Sequence, residues 1–307
     1  LLASSRRVGK KDPLVVYTAE NNNQAAEILR DAVRSESELQ GEDFDGSISF
    51  VNTVIGKMSG IITDPGEIEA RQLTCLVPGY ETAILVEEFN RILVSIPPAL
   101  AEDDWRPSFS TFETRVDLLP FEEAKLYGHN GVHAMGAYLA AHLGLTRMDE
   151  LREVPGAVDF LHEALVKEAG AALLKRYEGI DELFTPGAYA AYADELISRM
   201  LNPHLGDLVA RVARDPGRKL GWNDRLVGTL RLGLETGIKM PCFARAAAAA
   251  LLFLEPALST NPAAPQAILE ALWAADHPPP GEAAEICGLV QASLEKLRRN
   301  PPGDLFT

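Results

Sequence analysis

Residues 125–140, KLYGHNGVHAMGAYLA, place Lys125, His129, Asn130 and His133 within nine positions and then continue as an apolar helical pattern. If the stretch is an α-helix at about 100° per residue, His129 lies about 40° round from Lys125, His133 about 80° and Asn130 about 140°. All four side chains then share one side, next to a face carrying Met135, Ala137, Tyr138 and Leu139. Solvent-facing polar residues at a helix start are the ordinary explanation for any one of them. Four on one arc beside a face built for burial need partners.

Two chemistries suit this set. His129 and His133 have the i, i+4 spacing of metal ligands, yet Asn-Gly-Val stands between them where a zinc-protease helix carries a glutamate base, and no third ligand is evident. Proton transfer is the stronger alternative. A desolvated lysine can have its pKa lowered by up to ~3–5 units and act as a base. A nearby asparagine amide can donate a hydrogen bond to a developing alkoxide.

Two further groups deserve weighing. Glu20-Asn21-Asn22-Asn23 follows the apolar run 14–18, so these residues either cap a helix or reach a ligand from the carboxyl end of a strand. Residues 211–226 carry Arg211, Arg214, Arg218, Lys219 and Arg225 in an otherwise acidic chain. They are either ion-paired with Asp215 and Asp224 or available to a phosphate, whose oxygens match the arginine fork. Both readings stay open. No GxSxG elbow, P-loop or GxGxxG occurs.

The elements that must hold these residues fall into two parts. Up to about residue 117, β-branched runs alternate with one helix: strands at 14–18 and 47–55, weaker strands at 71–77 and 82–86, and a helix over 20–33 with Ala25, Ala26, Ile28, Leu29 and Val33 inward. Residues 35–45 read as a solvated acidic loop. From 118 onward, helical patterns dominate, over 158–177, 186–201, 204–213, 223–235, 242–254, 265–275 and 281–298. The expected fold is therefore α/β plus all-α: a partial α/β domain, 1–117, followed by a mainly helical domain, 118–307.

Composition limits the partners. The 307 residues carry a formal charge of −15 and a pI near 4.9, which argues against nucleic acid or an anionic membrane surface as a general partner. The most apolar run, 246–254, is far short of the ~20 residues of a membrane span. Cys75, Cys242 and Cys287 are widely spaced with no CxxC, which suggests neither a disulfide framework nor a thiolate zinc site, and a reducing cytoplasmic setting fits.

With the motifs in view, the spacing K-x4-N-x2-H at Lys125, Asn130 and His133 resembles the signature of the polyol-specific long-chain dehydrogenases, the mannitol dehydrogenase and mannitol-1-phosphate 5-dehydrogenase family. PLVVYTAEN (13–21), FVNTVIGKM (50–58) and AGAALLKRY (169–177) resemble further stretches in the same order, and residues 202–226 resemble the sugar-phosphate branch closely. The resemblance implies that 1–117 is the later part of a Rossmann-type nucleotide-binding domain and 118–307 the substrate and catalytic domain. It implies NAD or NADP as cofactor, with Glu20 and Asn21 beside it, and a polyol or its phosphate as substrate, oxidised to the ketose without metal. Lys125 is then the general base, Asn21 and Asn130 bind the reacting oxygen, and His133 orients the substrate.

Arg218, Lys219 and Arg225 are expected to bind the substrate, by its phosphate. At His129 family members carry leucine or threonine, so this side chain is expected to line the substrate pocket and bear on substrate choice. The family's glycine-rich turn is missing and the chain opens on Leu1, which gives the expectation of a copy lacking its N-terminal portion. The alternative is a non-catalytic sugar- or sugar-phosphate-binding or regulatory relative that has lost nucleotide binding.

Overall fold

A computed structural model describes residues 14–20, 22–38, 41–97, 105–107, 109–259, 265–299 and 305–306. Six strands are present among them: β1 (Leu14–Thr18), β2 (Ile48–Ile55), β3 (Ser59–Ile62), β4 (Ala83–Val86), β5 (Ile92–Ser95) and β6 (Phe112–Arg115). The chain divides into two compact units, one within Leu1–Lys57 and Glu88–Glu122 and the other comprising Met58–Glu87 and Glu123–Thr307. The single cut expected between 117 and 118 thus gives way to a division in which residues 58–87 belong with the helical unit.

In the first unit the sheet order is β1-β2-β5-β6. β1 runs parallel to β2 with Leu14 opposite Ile48 and Thr18 opposite Asn52, β2 is antiparallel to β5, and β5 is parallel to β6. The β1-helix-β2 succession is the crossover expected of a Rossmann-type sheet. The helix, Ala25–Ser35, packs on β2 through Ala26, which is buried with Phe44 and Phe50; Val16, Val33 and Ile48 pack against that cluster. The helix expected over 20–33 begins later because the asparagines before it make turns. Two residues assigned to its inward face, Ile28 and Leu29, are 55% and 40% exposed. The expected acidic loop also needs correction: Gly41–Asp45 is helical, and Phe44 is fully buried against Phe50 with ring centroids 6.4 Å apart.

The second unit begins with the β3/β4 hairpin, paired from Ser59 and Val86 to Ile62 and Ala83. Asp64 caps the intervening helix Pro65–Ala70, its side chain accepting from the Glu67 N–H at 2.7 Å. The strand expected over 71–77 is absent; Cys75 makes only an isolated bridge to Ala83. Arg199 fastens the hairpin to the helical body by donating through Nε and Nη2 to the two oxygens of Glu87 at 2.9 and 2.6 Å. Helices Asn130–His142, Pro241–Leu254 and Pro280–Arg299 build the core of that body. In Pro241–Leu254 the buried run Ala246–Ala250 lets its neighbours approach closely, since alanine adds a single methyl to the helix surface. Thr185 caps Pro186–Met200 as the Thr-Pro pair predicts. The helices expected from 204 and 223 start at Val209 and Val227. No helix of the described residues is long and apolar enough to cross a membrane.

Candidate active site

Lys125 lies in a wide, π-type turn, Ala124–His129, that runs directly into the α-helix Asn130–His142. The backbone N–H of Asn130 donates to the carbonyl of Lys125, five residues back. A regular α-helix would set residues five apart about 140° round from each other. The wide turn instead stacks Asn130 one hydrogen-bonded turn below Lys125. The uniform helix assumed from the sequence is therefore wrong at this point, and the error matters because such insertions are frequent at functional sites.

Close approach explains the glycines here better than looseness does. A Cβ on Gly131 would lie 2.9 Å from Cε1 of Phe243 and 3.1 Å from the carbonyl oxygen of Arg225. A Cβ on Gly128 would lie 2.8 Å from the hydroxyl of Tyr189. Tyr189 also presses on Gly170, which closes a second wide turn, Ala164–Gly170. Its ring thus fills the room both glycines leave, while its buried hydroxyl has no hydrogen-bond partner among the described residues.

Lys125, Asn130 and His133 are all partly exposed, and His129 is buried at 6% exposure. The His129 and His133 ring centroids are 6.4 Å apart. Burial, followed by the charges of His133, Lys125, Arg199 and Arg225, pushes His129 well below the ordinary imidazole range, so this ring is neutral at pH 7. Nε2 of His133 approaches Oδ2 of Asp207 at 3.1 Å. The pair is within hydrogen-bond distance, although the ring N–H is bent away from the line to that oxygen. Burial would raise the Asp207 carboxyl, but the His133 ring and the Arg211 guanidinium outweigh it and hold the group below its usual value.

The basic stretch separates into different environments. Arg225 is largely buried, and its Nε donates to Asp224 at 2.7 Å; Arg218 is half exposed and reaches the same carboxylate at 3.2 Å. Lys219 does not fit the phosphate-binding role expected of it. It is 3% exposed, donates to the carbonyls of Val212 and Arg214, and lies 5.8 Å from the Tyr138 ring centroid. Its ammonium closes the end of the short helix Val209–Ala213.

Asp207, Arg199 and Tyr189 were not singled out from the sequence. Each meets the lysine-bearing segment from a distant part of the chain, and no local spacing marks them. All three cysteines are free. Among the described residues no group of three or more His, Cys, Asp or Glu is placed to hold a metal ion.

In the first unit, Glu20 is exposed just beyond β1, and Asn21 lies outside the described residues. Asn22 serves the turn, its side chain accepting from the Gln24 N–H at 2.8 Å. Asn52 on β2 ties that turn down: Oδ1 accepts from the Ala26 N–H at 2.9 Å, and Nδ2 donates to Glu27 at 3.0 Å. Asn52 thus takes the capping role assigned to the asparagines after β1. Holding a dinucleotide needs a pyrophosphate cradle of closely spaced glycines, and no two glycines of the 307 residues are separated by a single residue. These residues therefore do not by themselves fit NAD or NADP.

Known proteins resemble the chain in sequence and in fold. Residues 117–274 match the model of the mannitol dehydrogenase C-terminal domain. The chain is 32% identical over 245 residues to a mannitol-1-phosphate 5-dehydrogenase of Oceanobacillus iheyensis, covering 78% of this chain and 57% of that protein. It is 30% identical over 247 residues to the enzyme of the same name from Pseudarthrobacter chlorophenolicus, covering 80% and 57%. The chain thus spans little more than half the length of these relatives. Mannitol 2-dehydrogenase of Pseudomonas fluorescens, solved as a ternary complex with NAD and D-mannitol, superimposes with a TM-score of 0.71 at 18% identity, over 99% of this chain and 64% of that one. This last likeness is one of fold.

Proposed function

Since the chain belongs to the mannitol dehydrogenase family of polyol oxidoreductases, we propose that it forms the substrate-binding and proton-transferring part of an enzyme interconverting a sugar alcohol, or its phosphate, and the corresponding ketose. The observation that carries this reading is the wide turn stacking Asn130 beneath Lys125, with His133 one turn further along the same helix.

In the direction of oxidation, the neutral amine of Lys125 takes the hydroxyl proton of the substrate and becomes an ammonium. As the C–O bond gains double-bond character, the partial negative charge on its oxygen is stabilised by the amide of Asn130, and the family resemblance gives Asn21 the same role. His133 fixes a neighbouring hydroxyl, and the neutral His129 ring bounds the substrate without adding charge. In reduction the Lys125 ammonium returns the proton. By the family resemblance the hydride acceptor would be NAD or NADP, with Glu20 and Asn21 assigned to it. The chain's own residues account for the proton and not for the hydride.

A phosphorylated substrate is favoured by Arg218, an exposed cation of the basic stretch, and by the relatives' shared name. Arg225 supports this from its partly buried pair with Asp224. A cytoplasmic setting goes with such a substrate.

The test uses the full-length natural protein with D-mannitol and mannitol 1-phosphate, each with NAD and NADP, and follows reduced nicotinamide by absorbance. Reduction with either polyol is expected, faster with the phosphate. Binding of a polyol with no reduction by any pairing would replace this reading with a non-catalytic sugar-binding protein.

A further inference from the structure

Asp207 is a buried carboxylate that the mechanism above does not use. Oδ2 stands 3.1 Å from Nε2 of His133, and Oδ1 accepts from Nε of Arg211 at 2.8 Å. The backbone around it is fixed as well. The Asp207 carbonyl accepts from the Met148 N–H and the Val209 N–H donates to the Thr146 carbonyl, both at 2.9 Å, so residues 207–209 are strapped to the segment after helix Asn130–His142. Arg211 is substantially exposed and needs no buried partner. A buried carboxylate must be paired and hydrogen-bonded; Arg211 pairs with Oδ1 from the exposed side, and the His133 ring is the group that faces Oδ2.

We propose that Asp207 is a positioning residue for His133: it fixes the ring's orientation and keeps the proton on Nε2, leaving the Nδ1 lone pair as the nitrogen offered to a substrate hydroxyl. The partner of one ring nitrogen sets the protonation of the other, and losing such a partner leaves the ring in mixed orientations and tautomers. The inference rests on the reading of His133 as the residue that orients substrate.

The test compares D207N, H133N, their double variant and R211Q in the full-length protein. Readouts are polyol affinity by calorimetry, kcat and KM, and the imidazole ¹⁵N spectrum above about pH 8, past the ordinary range of histidine. D207N is expected to weaken polyol affinity about tenfold with a smaller change in kcat, a loss typical of partners that orient a functional histidine. The single Nε2–H signature of His133 should give way to a mixture, and the double variant should bind no worse than H133N alone.

An unchanged His133 signature in D207N, additive losses in the double variant, or an equal loss in R211Q would each overturn the inference. If D207N does not fold, D207E, which keeps the charge but displaces it by a methylene, is expected to give the same loss of affinity, and full affinity in it would count against the inference. H133N that binds polyol normally would overturn the reading of His133 itself, whereas H133N that weakens binding beside a normal D207N would overturn only the role of Asp207.

Discussion

His129 is the residue whose burial has the plainest consequence outside catalysis. In the fold it stays neutral well below the ordinary imidazole range, whereas the unfolded chain protonates it near pH 6.5. Below that pH the unfolded state binds the extra proton, so stability falls as pH falls, by up to about 1.4 kcal/mol per unit for this one group. Denaturant unfolding at pH 7.5 and 5 is expected to show a smaller acid loss in H129N than in the natural protein; equal losses would mean the ring is charged in the fold.

Lys219 gives the opposite kind of prediction. K219M leaves two part-buried carbonyls without their donor and a buried lysine site refilled by an apolar chain, and should cost roughly 1 kcal/mol of stability, with no selective loss of a phosphorylated substrate. R218A should weaken the polyol phosphate more than the free polyol and leave the melting temperature nearly unchanged. At this scale residue type and local spacing singled out Lys125, Asn130 and His133, which the fold sets on one continuous helical segment. They misplaced Lys219 because a cluster of cations along the chain carries no information on which one turns inward. Asp207 was invisible because it lies in the loop before helix Val209–Ala213 and meets His133 from far along the chain.

The element on which the account depends is the wide turn, Ala124–His129. Its register is held from outside, by Tyr189 against Gly128 and by Phe243 and the Arg225 backbone against Gly131. G131A should therefore be destabilised by about 1–3 kcal/mol, as overpacked sites are, because one of its two obstacles is backbone. Thermal unfolding checks this, and an unchanged melting temperature would mean that the helices stand further apart.

Elements formed by strong local preferences were legible in the sequence: β1 and β2 from their β-branched runs, Pro186–Met200 from its Thr-Pro start, and Pro280–Arg299 from its length. Those set by tertiary packing were not. Phe44 hides a helical turn in an acidic segment, Ile28 and Leu29 follow a helical period without being buried, and periodicity assumes the 3.6-residue turn that Lys125 departs from.

Across the whole molecule, the α/β and helical parts follow the compositional shift near residue 117, but the chain crosses between the units more than once. Residues 58–87 join the helical unit through a hairpin whose buried Glu87 meets Arg199. Nothing local in the sequence announces that pairing, since its partners are separated by more than a hundred residues. R199M strands the Glu87 carboxylate and should cost about 3–5 kcal/mol, the range for breaking a buried pair. Limited proteolysis is expected to cut that variant first within 58–87; a cleavage pattern like that of the natural protein would show that the hairpin is held by other contacts.

The acidic balance of −15 gives the chain a mean field that repels anions, so a phosphorylated substrate would have to be met by local cations such as Arg218. The central claim is that Lys125 moves the proton in polyol oxidation, and K125A in the full-length protein tests it most directly. Turnover of polyol should fall by about 10²–10⁴-fold, the usual worth of a positioned acid–base group, while NAD(H) titrates as in the natural protein. Turnover within a few-fold of the natural protein, at unchanged cofactor affinity, would contradict the account.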